Sequence, residues 1–117
     1  MVITNTTSIK YLKTIGIVNN GFNGRGFANP YDVAIGPGDN IFVLNRCDPA
    51  RRNAIRVGVC NLDEEYLYEF GYGFGDGDGQ MMLPVAMAFD AEGRLLITDE
   101  HTNRITIYSD AGEVLGE

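Results

Sequence analysis

The chain has 117 residues, of which 44% are hydrophobic, with 15 Gly, two Cys and a formal net charge of −7. This is enough for one small domain with a real core, and the acidic balance disfavours nucleic acid as a partner, since phosphate contacts need a basic footprint. No apolar run nears the roughly 20 residues that span a bilayer, and the N-terminus lacks the charged start and apolar centre of a signal peptide, so the expected location is cytoplasmic.

Residues 1–8 read as a polar N-terminal tail. Residues 9–18 alternate loosely around Tyr11, Lys13, Ile15 and Ile17, which predicts a strand. An Asn- and Gly-rich loop with interleaved Phe22 and Phe27 runs to Pro30. Strands are then predicted over 31–35 and 41–44, separated by the turn cluster Gly36-Pro37-Gly38-Asp39-Asn40. A polar loop over 45–53 leads to strands over 54–59 and 66–70. The Gly-rich stretch 71–79 ends near Pro84, and strands follow over 85–89, 94–98, 103–108 and 113–115. No segment carries apolar residues at helical spacing, so the fold class expected is all-β.

The strands repeat. Tyr11–Gly16 matches Tyr66–Gly71, Pro30 matches Pro84, and Ile41–Val43 matches Leu95–Ile97. Asn53–Val57 is aligned with Asn103–Ile107, which makes the loop 46–52 about four residues longer than its counterpart. A period near 50 with four strands per unit is the mark of propeller blades. The architecture expected is an outer strand over 9–18, a four-stranded antiparallel blade over 30–70 and another over 84–116. Two blades leave the ring incomplete, because closure takes about four to eight.

In these residues the chain resembles the NHL repeat family. The resemblance rests on a Gly-rich stretch, a Pro opening an apolar strand, a Gly turn, and Ile97-Thr98-Asp99 followed by Asn103-Arg104-Ile105. It covers residues 9–117. In the upstream copy Asn45 stands where the family has Asp and Ala54 where it has Arg. The resemblance implies a six-bladed propeller type, completed by further copies or by a longer protein. It also implies an alternative to a binding module, a lactonase- or lyase-type enzyme with a divalent metal, Ca2+ or Zn2+, in the central channel.

Loops joining the strands collect on one face, the expected place for function. The candidate residues there are Arg46, Arg51, Arg52, Asp99, His101 and Arg104. Paired arginines suit an anionic ligand, and Asp99 is expected to cap its turn and hold Arg104 across it. His101 is the sole histidine and has no nearby partner fixed by sequence. Asp76 and Asp78 resemble a calcium loop only in composition, because Met87 stands where an EF-hand has its bidentate Glu. No nucleophile, zinc-protease or phosphate-loop motif is present. The reading is a non-catalytic binding or scaffold module that contacts a protein, further copies of itself or a small ligand, with no cofactor required. Cys47 and Cys60 have neither a disulfide-framework nor a zinc spacing and read as free thiols.

The charge is divided along the chain. Residues 1–59 hold seven Lys/Arg against three Asp, a net of +4, and residues 60–117 hold two Arg against thirteen carboxylates, a net of −11. Such asymmetry fits a front half built to meet an opposite back half.

Overall fold

The computed structural model describes residues 6–16, 26–46, 55–71 and 75–117. It holds two antiparallel four-stranded sheets and almost no helix. The first sheet runs β1 (Pro30–Ile35), β2 (Ile41–Asn45), β3 (Arg56–Cys60) and β4 (Tyr66–Phe70). The second runs β5 (Pro84–Phe89), β6 (Leu95–Asp99), β7 (Arg104–Tyr108) and β8 (Val114–Gly116). Spatial order follows chain order in both, and neither sheet closes on itself. These are two propeller-like blades. Among the described residues no helix is long and apolar enough to cross a membrane.

Short polar turns fix the strand ends. The Asp90 carboxylate accepts the backbone N–H groups of Glu92 and Arg94. Asn61 does the same for Asp63 and Glu65, and the Ser109 hydroxyl for Glu113. A side-chain oxygen that replaces a backbone acceptor is what makes Asn, Asp and Ser turn formers. The strands between are rich in Val, Ile, Leu, Phe and Tyr, which pack well on a pleated surface.

The blades stack face to face. Phe42, Leu44, Val57, Val59 and Phe70 of the first sheet meet Met87, Leu95, Ile97 and Tyr108 of the second in one buried cluster. Phe42 meets the Phe89 ring edge-on at 4.8 Å between centroids, and Phe70 meets Tyr108 at 5.4 Å. Each such buried side chain contributes on the order of 1.5–3 kcal/mol. The Asp32 carboxylate crosses the joint from β1 to accept the Met87 N–H of β5 at 2.8 Å. That bond satisfies an edge donor that β6 does not reach.

The strand expected over residues 9–18 does not form over 9–16, and residues 17–18 lie outside the described residues. A strand needs a ladder partner, and none among the described residues pairs with it. The segment nonetheless sits on the first blade as β4 sits on the second. Lys13 donates to the Leu62 carbonyl at 2.6 Å, and Tyr68 donates to the Asp110 carbonyl at 2.6 Å. A Cβ at Gly16 would lie 2.6 Å from the Phe27 ring, and one at Gly71 would lie 2.8 Å from Met81 Cε. The Ala28 N–H donates to Asn45 Oδ1, and the Met82 N–H donates to Asp99 Oδ2. Two pairs of contacts thus set Lys13 and Gly16 against the first blade as Tyr68 and Gly71 are set against the second, although residues 9–16 form no strand.

Candidate functional site

Arg46 after β2, the turn after β6 and residues 75–83 ahead of β5 lie at one end of the blade pair. Asp99 closes β6, and its buried carboxylate organises that end. It accepts N–H groups from Met82 at 2.8 Å, Leu83 at 3.2 Å, His101 at 3.0 Å and Thr102 at 3.1 Å. Burial pushes this carboxyl up, but the N–H groups of Thr102, Met82, Leu83 and His101 outweigh it and hold it below its ordinary value.

Arg104 opens β7 directly opposite Asp99 in the ladder. Contrary to expectation, no ion pair joins the two among the described residues. The guanidinium turns instead to the Gly-rich loop. Nη1 donates to the Asp76 carbonyl at 3.0 Å, and Nη2 to those of Gly77 at 3.1 Å and Gln80 at 3.3 Å. It also meets the Glu117 carboxylate at 3.2 Å. Asp99 therefore gathers N–H groups while Arg104 gathers carbonyls, and the two fasten different segments to the sheet.

That arrangement does not suit a calcium loop at Asp76 and Asp78. Both residues are exposed, and the loop carbonyls a hard cation would recruit already face a fixed positive charge. Among the described residues no three His, Cys, Asp or Glu side chains converge on a metal-holding position.

Arg46 lies at the end of β2, with its guanidinium 4.6 Å above the centre of the Tyr31 ring. It also pairs with Glu100, which follows Asp99, so this ion pair bridges the two blades. His101 is exposed in the same turn. The structure thus brings Arg46, Tyr31, Glu100 and His101 to one end with Asp99 and Arg104. Arg51 and Arg52 lie outside the described residues, as does Cys47. Cys60 is a free, buried thiol whose pKa burial raises.

The register of the first blade corrects the alignment made from sequence. Asn45 pairs with Arg56 in the ladder as Asp99 pairs with Arg104. Arg56, not Ala54, is therefore the counterpart of Arg104. The connection has ten residues (46–55) against four (100–103), six more rather than four. Arg56 repeats the contacts too. It donates to the Gly26 carbonyl at 3.3 Å and pairs with Glu69 at 3.0 Å. Gly26 and Glu69 stand where Gln80 and Glu117 stand in the second blade. Arg56 and Glu69 were not recognisable as a pair, because thirteen residues and a turn separate them. Asp32, Glu100 and Tyr31 went unnoticed as well, since their partners come from the other blade or a distant strand end.

No family model matches this chain, and no curated protein matches it.

Proposed function

We propose that the chain is a non-catalytic binding or scaffold module of NHL-like blades, whose loop end contacts a protein or small ligand. One observation carries the reading. Asp99 and Arg104, the most recognisable polar residues, are spent on their own backbone, whereas Arg46, Tyr31, Glu100 and His101 stand on the adjoining surface. Groups engaged as backbone clamps are poorly placed for proton transfer or metal ligation. A cation stacked on an aromatic ring beside a carboxylate suits recognition of a mixed-charge or anionic surface. With Arg46 already paired with Glu100 and a net charge of −7, the chemistry fits a protein or small ligand of mixed charge more than a polyanion such as nucleic acid.

The test is titration of a fluorescent peptide that carries both lysine and glutamate, paired with metal analysis of the purified chain. Saturable binding that Arg46→Ala weakens several-fold supports the reading. A stoichiometric divalent ion together with lactone hydrolysis overturns it in favour of the propeller-enzyme alternative.

A further inference from the structure

Arg46 and Glu100 occupy the same place in successive blades. Each follows the last residue of a second strand, and Asn45 and Asp99 before them hold equal positions in their ladders. The backbone repeats as well. The Arg46 N–H donates to the Asn29 carbonyl at 3.2 Å, and the Glu100 N–H donates to the Leu83 carbonyl at 3.0 Å. The two side chains differ in sign and meet tip to tip across the joint.

Their attachments are unequal. The Arg46 guanidinium lies 4.6 Å over the Tyr31 ring, a contact within the first blade that needs nothing from Glu100. Val85 stands in the second blade where Tyr31 stands in the first, so Glu100 has no such ring beside it. The Arg46 side chain is 17% exposed and that of Glu100 is 54% exposed. Among the described residues the Glu100 carboxylate has no second ion pair. It can leave Arg46 for water without burying a charge, while Arg46 stays on its ring. Breaking an exposed pair of this kind shifts an equilibrium by no more than about fivefold.

We infer that Glu100 holds the place of a ligand carboxylate, and that the ligand class carries charges of both signs. The ligand's carboxylate replaces Glu100 on Arg46, and its ammonium pairs with the released Glu100. This rests on the loop-end reading and adds how that site selects. A ligand with only a carboxylate makes one pair, breaks another and leaves Glu100 beside a second negative charge. A ligand with only an ammonium finds Glu100 engaged and Arg46 next to it. A ligand with both exchanges one pair for two. Selection thus comes from an internal charge that opposes partners of a single sign. The ring supports it, because a stacked guanidinium keeps its N–H donors for a carboxylate.

The test compares two fluorescent peptides of equal length, one of alternating lysine and glutamate and one of glutamate alone. Each is titrated into the wild type, Arg46→Ala, Glu100→Gln and the double variant, all checked for wild-type circular dichroism. Glu100→Ala serves in place of the amide variant should that one fail to fold. The wild type binds the mixed peptide, and binds the acidic one at least several-fold more weakly. Glu100→Gln binds the acidic peptide several-fold more tightly than the wild type does, and loses the preference for the mixed one. The gain disappears in the double variant, which separates release of Arg46 from a general loss of negative charge. Wild-type binding of the mixed peptide with no gain for the acidic one in Glu100→Gln overturns this inference and leaves the loop-end reading standing. A gain that persists without Arg46 does the same. Failure of the wild type and Glu100→Gln alike to bind either peptide overturns both.

Discussion

Arg56 and Arg104 stand at the same place in successive blades and bind the same set of groups. Each opens the third strand of its sheet opposite Asn45 or Asp99. Each donates to a carbonyl of the segment leading into the first strand, Gly26 or Gln80. Each pairs with a Glu of the fourth-strand region, Glu69 or Glu117. One arginine thus ties the entry, third strand and outer strand of a blade together. The two differ in surroundings, because the Arg56 and Glu69 side chains are 0% and 5% exposed while those of Arg104 and Glu117 are 19% and 40% exposed.

That difference sets unequal costs for the same substitution. Arg56→Ala leaves the Glu69 carboxylate buried without its cation, which costs on the order of 3–5 kcal/mol. Arg104→Ala leaves solvent-accessible partners and costs about 1–3 kcal/mol, the range for hydrogen bonds to a charged group. Arg56→Lys does not restore the loss, since an ammonium lacks the fork that reaches Glu69 and the Gly26 carbonyl together. Urea-unfolding midpoints of the three variants measure this, and equal losses for Arg56→Ala and Arg104→Ala would refute the equivalence argued here.

The Asp99 carboxylate makes stability depend on acid. Its folded-state pKa lies below the unfolded value of about 3.9. A depressed carboxylate stabilises the fold above the unfolded pKa, and that contribution is lost as pH falls through the folded one. The wild type is therefore expected to lose stability below about pH 4 more steeply than Asp99→Asn. The amide should be accepted, because Asn45 already fills the equivalent place and accepts the Ala28 N–H. Thermal melts of both proteins between neutral and strongly acid pH provide the measurement, and parallel pH profiles would contradict it.

Much of this architecture was legible in the residues, and the exceptions have physical causes. All eight strands announce themselves because alternation and Asx or Ser turns are local signals, readable within ten residues. The register of β3 was misread because Asn53-Ala54-Ile55 imitates Asn103-Arg104-Ile105, whereas the ladder brings Arg56 opposite Asn45. Residues 9–16 carry a strand pattern but have no sheet to join, and pattern alone cannot supply a partner. At the site, the importance of Asp99 was visible from its motif, but its partners were not. Asp99 and Arg104 face each other in the ladder yet reach to residues 17 and 28 positions away. The bonds from Asp32 to Met87 and from Arg46 to Glu100 cross between blades, beyond any local pattern.

Tyr108 predicts the opposite pH behaviour at the alkaline end. Burial pushes its phenol up to about 12, with Arg104 pulling it down and Asp99 and Glu117 adding to the rise. Its hydroxyl donates to the Gly79 carbonyl at 3.1 Å, a bond that exists only while the phenol is protonated. A raised pKa gives stability that is present below the unfolded value of about 10 and lost as pH rises toward the folded one. Stability should fall between about pH 10 and 12, and Tyr108→Phe should flatten that fall while losing the Gly79 bond at every pH. Denaturant midpoints across that range decide it, and an unchanged alkaline slope in Tyr108→Phe would place the titration elsewhere.

The contact of Phe70 with Gly112 offers a test of how tightly the blades are joined. Gly112 lies in the turn between β7 and β8 with φ of 92°, and a Cβ there would meet Phe70 Cγ at 2.4 Å and Cβ at 2.5 Å. Phe70 in turn packs on Tyr108 and Phe42 and is 7% exposed, so a shift away from Gly112 disturbs those ring contacts. Gly112→Ala therefore combines left-handed strain of about 1–2 kcal/mol with overpacking of about 1–3 kcal/mol. Gly38→Ala is the control. Its φ of 69° carries the same kind of strain, but nothing lies within 4 Å of the added Cβ. The expected result is a destabilisation for Gly112→Ala at least about twice that of Gly38→Ala, read from thermal midpoints. Equal losses would mean that strain alone acts at Gly112 and that the Phe70 contact yields readily, leaving the joint between the blades looser than its buried aromatic cluster implies.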